Sequence, residues 1–167
     1  MLPVMDMRTA HEIIECLRAN GFDSGGGVDR QVLALMEEAG EFVGAYRRWR
    51  GWARRTGSWE DVRAELADVA ITTYVTLAEA DLDIDQDLSW AKQPMQNDPF
   101  RAVLKVFRTV DSATRLYPLM PLSSCDLSSV VVAACQAAHV LEINLGAAVH
   151  DKLEIVFTRG WREPTNT

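Results

Sequence analysis

An all-α fold, an antiparallel bundle of about six helices, is what this sequence predicts, and three observations predict it. Apolar residues recur at spacings of three and four along most of the chain, and nowhere does a polar–apolar alternation last long enough for a strand. Glycine, proline and asparagine collect at a few separated places, which divides the chain into helix-length segments. The 167 residues are 48% hydrophobic, enough for one core, so 1–167 is read as a single domain.

The first helix is expected over Thr9 to Asn20, with Ile13, Ile14 and Leu17 inward and a left-handed cap at Asn20-Gly21. FDSGGGVD follows. Its three glycines have no strand in front and no Gly-Lys-Ser/Thr behind, so the stretch reads as a linker rather than a phosphate loop. The second helix runs from about Asp29 to Arg50, with Val32, Leu35, Met36, Ala39, Val43 and Tyr46 as its apolar stripe. GWARRTG is a turn, and Ser58 with acids behind it is a good N-cap for a third helix. That helix, through VRAELADVAITTYVTLAEA, is apolar on most of its circumference and must be largely buried. Residues 28–82 therefore form a helical hairpin. Asp81 to Asp98, holding Pro94, is a long connection before Pro99. Residues 98–160 supply a fourth helix over Phe100 to Tyr117, a break at PLMP, a fifth from Asp126 to about Leu141, and a sixth capped by Gly160.

Charge and composition exclude some functions. A net charge of −7 and a pI of about 4.9 argue against nucleic acid as a partner, since its backbone demands a basic surface. Cys16, Cys125 and Cys135 form no CxxC pair and read as buried small hydrophobes in a reduced compartment. The most apolar segment, VVVAACQAAHVLEINL, is broken by Gln136, His139 and Glu142, and MLPVMDMRTAHEIIE has no basic stretch followed by an apolar one. No membrane contact and a cytoplasmic location are expected. His11, His139 and His150 have no partner pattern and read as structural or surface residues.

The acidic residues are the candidates for chemistry. EEAGE sets Glu37, Glu38 and Glu41 within about one turn of helix two, and ELAD sets Glu65 and Asp68 one turn apart on helix three. At 1.5 Å per residue, Glu41 and Glu65 lie ~14 and ~11 Å from the turn, and Glu38 and Asp68 lie ~18 and ~15 Å from it. Two acid pairs thus meet across the hairpin at matched heights. Such a cluster suits a hard divalent cation, Mg²⁺ with Mn²⁺ as a substitute, which takes oxygen ligands and keeps waters. No Glu-x-x-His pair exists for a di-iron bundle. On a helical wheel, however, the three EEAGE acids lie opposite Val32, Met36 and Val43, as a solvated face would also place them.

These residues resemble the signature of the MazG-like nucleoside triphosphate pyrophosphohydrolases, over about residues 30 to 80: EEAGE, a gap, then ELAD, both on helices of an acidic all-α chain. The family often carries Lys-x-x-x-Asn-x-x-Arg near its C-terminus. This chain reads KLEIVFTR, with Lys152 and Arg159 in place and Val156 where the Asn would be. The resemblance implies Mg²⁺-dependent cleavage of a (d)NTP into monophosphate and pyrophosphate. It assigns the metal to Glu38, Glu41, Glu65 and Asp68, the attacking water to Glu37 or Glu38, and phosphate binding to Lys152 and Arg159. A homo-oligomer, most simply a dimer, goes with it. A phosphoribosyl-ATP type substrate, or a noncatalytic helical module with an acidic face, are the alternatives.

Two further features stand beside the signature. YRRWRGWARRTGSW is either a phosphate clamp, through Arg50 and Arg54, with Trp49 and Trp52 as base-stacking walls, or a solvated turn with tryptophans covering the hairpin end. Asp126-Leu-Ser-Ser-Val, its apolar helix and EINL echo Glu65-Leu-Ala-Asp-Val, its apolar helix and DLDI at an offset of 61 residues. The C-terminal half is then a degenerate second copy, or simply helices that complete the bundle.

Overall fold

The structure, a computed structural model, describes residues 4–19, 27–85 and 97–159. Six helices and no strand occur among them: α1 (Met7–Ala19), α2 (Gly27–Trp49), α3 (Trp59–Glu79), α4 (Pro99–Thr114), α5 (Ser124–Val140) and α6 (Leu145–Arg159). The Asn20-Gly21 cap, most of FDSGGGVD, Pro94 and the Gly160 cap lie outside the described residues.

Local chemistry sets the boundaries. Ser58 and Asp61 form a reciprocal capping box at the start of α3. Asp98 caps α4 with Pro99 just inside it, and Ser123 caps α5. Gly51 takes a positive φ of 74° in the turn between α2 and α3. At Gly57 an added Cβ would lie 2.8 Å from the Arg48 Cβ, so the chain passes α2 too closely for a side chain. Helix four stops at Thr114, short of Tyr117, and residues 115–119 form turns.

One hydrophobic cluster draws on all six helices. Its centre is α3 and α5, which are buried on nearly every side and pack on each other; α2 covers α3 and α4 covers α5 as antiparallel hairpins. Helices α1 and α6 close the two flanks of α3. Glu79, whose side chain is only 6% exposed, ties three ends together by pairing with Arg18 of α1 at 3.4 Å and Arg30 of α2 at 3.6 Å. No single helix among the described residues is long and apolar enough to cross a membrane.

The structure corrects the apolar stripe of α2. Met36 is 47% exposed, whereas Phe42 and Ala45 are fully buried. Helix α2 has turned relative to the sequence reading because α3 and α4 both pack on it, and a face between two neighbours is broader than one stripe. Cys125 is exposed and Cys16 and Cys135 are half-buried, so the cysteines are not uniformly core residues. Burial pushes the Cys135 thiol up to about 11. All three histidines are exposed.

Candidate metal centre

The turning of α2 decides which acids face inward. At ~100° per residue, Glu38 falls inside the buried arc, between Gln31 and Ala45, while Glu41 lies on its edge and Glu37 on the outer side. Glu38 is accordingly half-buried, and Glu37 and Glu41 are exposed. The EEAGE acids are thus split by the packing of α2 rather than sharing one solvated face.

Across the hairpin, Glu65 and Asp68 of α3 are half-buried. One carboxylate oxygen each from Glu38, Glu65 and Asp68 lie within 4.8 Å of one another. Glu41 stands outside this triad but close enough for its charge to help raise the Glu65 carboxyl. The height match expected from the sequence therefore brings three of the four proposed ligands to one point, with the fourth at the rim.

Helix α6 adds a cation. It packs on α3 through an Arg63–Asp151 ion pair at 2.5 Å, and in the next position Lys152 Nζ donates to Asp68 Oδ2. Lys152 and Asp68 retain only 28% and 23% side-chain exposure. Val156 lies on the Lys152 face of α6 and is half-buried. Arg159 ends the helix two turns further along that face, and its side chain lies outside the described residues.

The electrostatics follow from three acids and one base out of bulk water. Burial, then the charges of Asp68, Glu41 and Glu65, raise the Glu38 carboxyl to about 7, with Lys152 opposing. Burial and the charges of Asp68 and Glu41 raise Glu65, and burial raises Asp68 against the pull of Lys152. Burial would lower the Lys152 ammonium, but its hydrogen bond to Asp68 and the charges of Asp68, Glu65 and Glu38 outweigh it and the net shift is upward. The donor set fits a hard divalent cation: all ligands are oxygens, and the carboxyls raise one another as they would not with enough positive charge between them.

A pH dependence follows. Glu38 titrates at about 7 when folded and at about 4.5 when unfolded, so between these values the folded state holds a proton that the unfolded chain has released. Stability of the metal-free protein is then lost as pH rises through that window. Urea melts in EDTA at pH 5 and pH 7.5 should differ by roughly 1–3 kcal/mol in favour of pH 5, and Glu38→Gln should remove most of the difference. Equal slopes in both proteins would contradict the coupling.

The other candidates lie at the far end of the hairpin. Arg50 is ~14 Å along the α2 axis from Glu41. Trp49 packs on Trp59 and Tyr46, with ring centroids 4.6 and 5.8 Å apart, and Trp52 meets Tyr46 and Phe100 at 6.1 and 6.4 Å. The Arg50 guanidinium lies 5.0 Å from the Trp52 ring centre. Trp49 and Trp52 still expose 39% and 52% of their surface, and Arg54 is exposed in the turn. The structure brings Lys152 to the acids; it leaves Arg50, Arg54, Trp49 and Trp52 together at the turn. Arg63, which orients α6 beside the site, was not a candidate from sequence, because its partner is 88 residues away.

No protein-family model, no curated protein and no solved structure matches this chain.

Proposed function

We propose that the protein is a Mg²⁺-dependent nucleoside triphosphate pyrophosphohydrolase. The observation that supports it is convergence: residues of EEAGE, ELAD and KLEIVFTR, which stand on three helices, meet at one half-buried point. Glu38, Glu65 and Asp68 would hold the cation. Bound there, it would offset the charge of a triphosphate and lower the pKa of a water it carries.

The chain's own groups supply the rest. Glu41, outside the triad but near enough for its charge to act on Glu65, is the carboxylate left to accept the proton of the attacking water. Geometry favours it over Glu37, which points away from the triad on the outer side of α2. Lys152 Nζ carries the positive charge nearest the acids and meets the phosphates. Cleavage between the α and β phosphates rests on the family resemblance. The burial of Glu38 counts against a noncatalytic acidic face, because a solvated face has no reason to take a carboxylate out of water.

The test is a panel of canonical and modified (d)NTPs with Mg²⁺, products separated by chromatography. Monophosphate and pyrophosphate are expected from at least one of them. Diphosphate and phosphate, or no turnover of any nucleotide, would overturn the reading.

A further inference from the structure

The two hairpins share more than their order. The C-terminus of α3 is closed by Ala80 N–H bonding to Thr76 and Ala78, Asp81 at φ 56° and Leu82 N–H bonding to Leu77. The C-terminus of α5 repeats this 61 residues later, with Leu141 bonding to Ala137 and His139, Glu142 at φ 57° and Ile143 bonding to Ala138. The partner helices repeat as well. Val32, Leu35, Ala39 and Phe42 of α2 are buried, and 71 residues later so are Val103, Val106, Val110 and Ala113 of α4.

These two registers locate the counterpart of the acid cluster. Glu38 and Glu41 correspond to Thr109 and Ser112, Asp68 to Ser129, and Glu65 to Asp126, the one acid retained. Hydroxyls have replaced three carboxylates. On the same face of α4, at spacings of four and three, stand Arg101, Lys105 and Arg108. A cavity of about 580 Å³ runs along this face, lined by Phe100, Arg101, Lys105, Arg108, Thr109 and Ser112 among others. The local charge is therefore opposite to that of the metal centre.

Lys105 and Arg108 carry charges that no carboxylate among the described residues neutralises, and Lys105 Nζ donates to the neutral Gln136 amide at 2.7 Å. Arg101 is paired with Asp98 at 3.4 Å. Phe100, 51% exposed, stands at the N-terminal end of the groove against the edge of Trp52.

We propose that this groove is a second ligand site, which binds the phosphates of a nucleotide directly and without a metal. Lys105 and Arg108, with the hydroxyl of Ser112, hold the phosphates. Phe100 offers its exposed ring to the base. The inference does not depend on the function proposed for the metal centre, since it needs neither a cation nor turnover.

Isothermal titration of the full chain in EDTA, with inorganic pyrophosphate and with ATP as probes, tests it. Both should bind, ATP at least tenfold more tightly. The double variant Lys105→Ala, Arg108→Ala should lose at least tenfold for both probes with an unchanged melting temperature, and Asp68→Asn should lose nothing. Phe100→Ala should weaken ATP tenfold and leave pyrophosphate unchanged. Absence of binding in EDTA, binding that survives the double variant, or binding lost in Asp68→Asn overturns the site. Equal effects of Phe100→Ala on the two probes overturn the role of the ring.

Discussion

Asp68→Asn is expected to abolish stabilisation by millimolar Mg²⁺ or Mn²⁺ while leaving the metal-free fold intact. In the wild type, a cation at a hundred times its dissociation constant adds about 2.7 kcal/mol, a rise of several degrees in melting temperature for a chain of this size. The variant keeps the shape of Asp68 and an amide oxygen toward Lys152, but removes one of three ligand charges within 4.8 Å of one another. Loss of the Asp68–Lys152 ion pair and relief of repulsion among the acids act in opposite directions, so metal-free stability should change little. Turnover of a nucleotide substrate should fall at least a hundredfold, about 2.7 kcal/mol of lost transition-state stabilisation. The measurement is a thermal melt with and without metal, followed by pyrophosphate release. An unchanged metal shift in the variant would remove Asp68 from the centre.

Phe42→Ala should cost about 3–5 kcal/mol in urea unfolding, and Met36→Ala less than about 0.5 kcal/mol. Phe42 is fully buried, one turn beyond Glu38, and its truncation should leave a cavity beside the acidic triad. Met36 is 47% exposed and fills nothing that its loss would empty. The pair of variants tests the rotation of α2, because the stripe read from sequence ranks them the other way. If Met36→Ala proved the costlier, Glu38 would face solvent and the triad would not assemble.

Much of the fold was legible because its signals are local. Ser58 caps α3 through groups three residues apart, and the apolar circumference of α3 announces burial whatever surrounds it. The matched heights of the acid pairs needed only a helical rise and a short turn; of the four acids so placed, Glu38, Glu65 and Asp68 meet and Glu41 does not.

The remainder depended on neighbours the sequence does not name. A wheel fixes which residues of α2 share a side, but not which side faces inward once two helices pack on it. Hence Met36 and Phe42 were weighted wrongly, and Glu37 and Glu38, adjacent in sequence, parted into solvent and site. KLEIVFTR showed two cations on one face of α6. That Lys152 would end on Asp68, 84 residues away, was decided by the packing of α6 on α3 and the Arg63–Asp151 pair. Sequence by itself determined the helices, their caps and the height of the acids, all set by bonds within a few residues. Only the tertiary structure decided the rotation of α2 and the placement of Lys152, because burial of a helix face and pairing of distant charges are energies shared between elements.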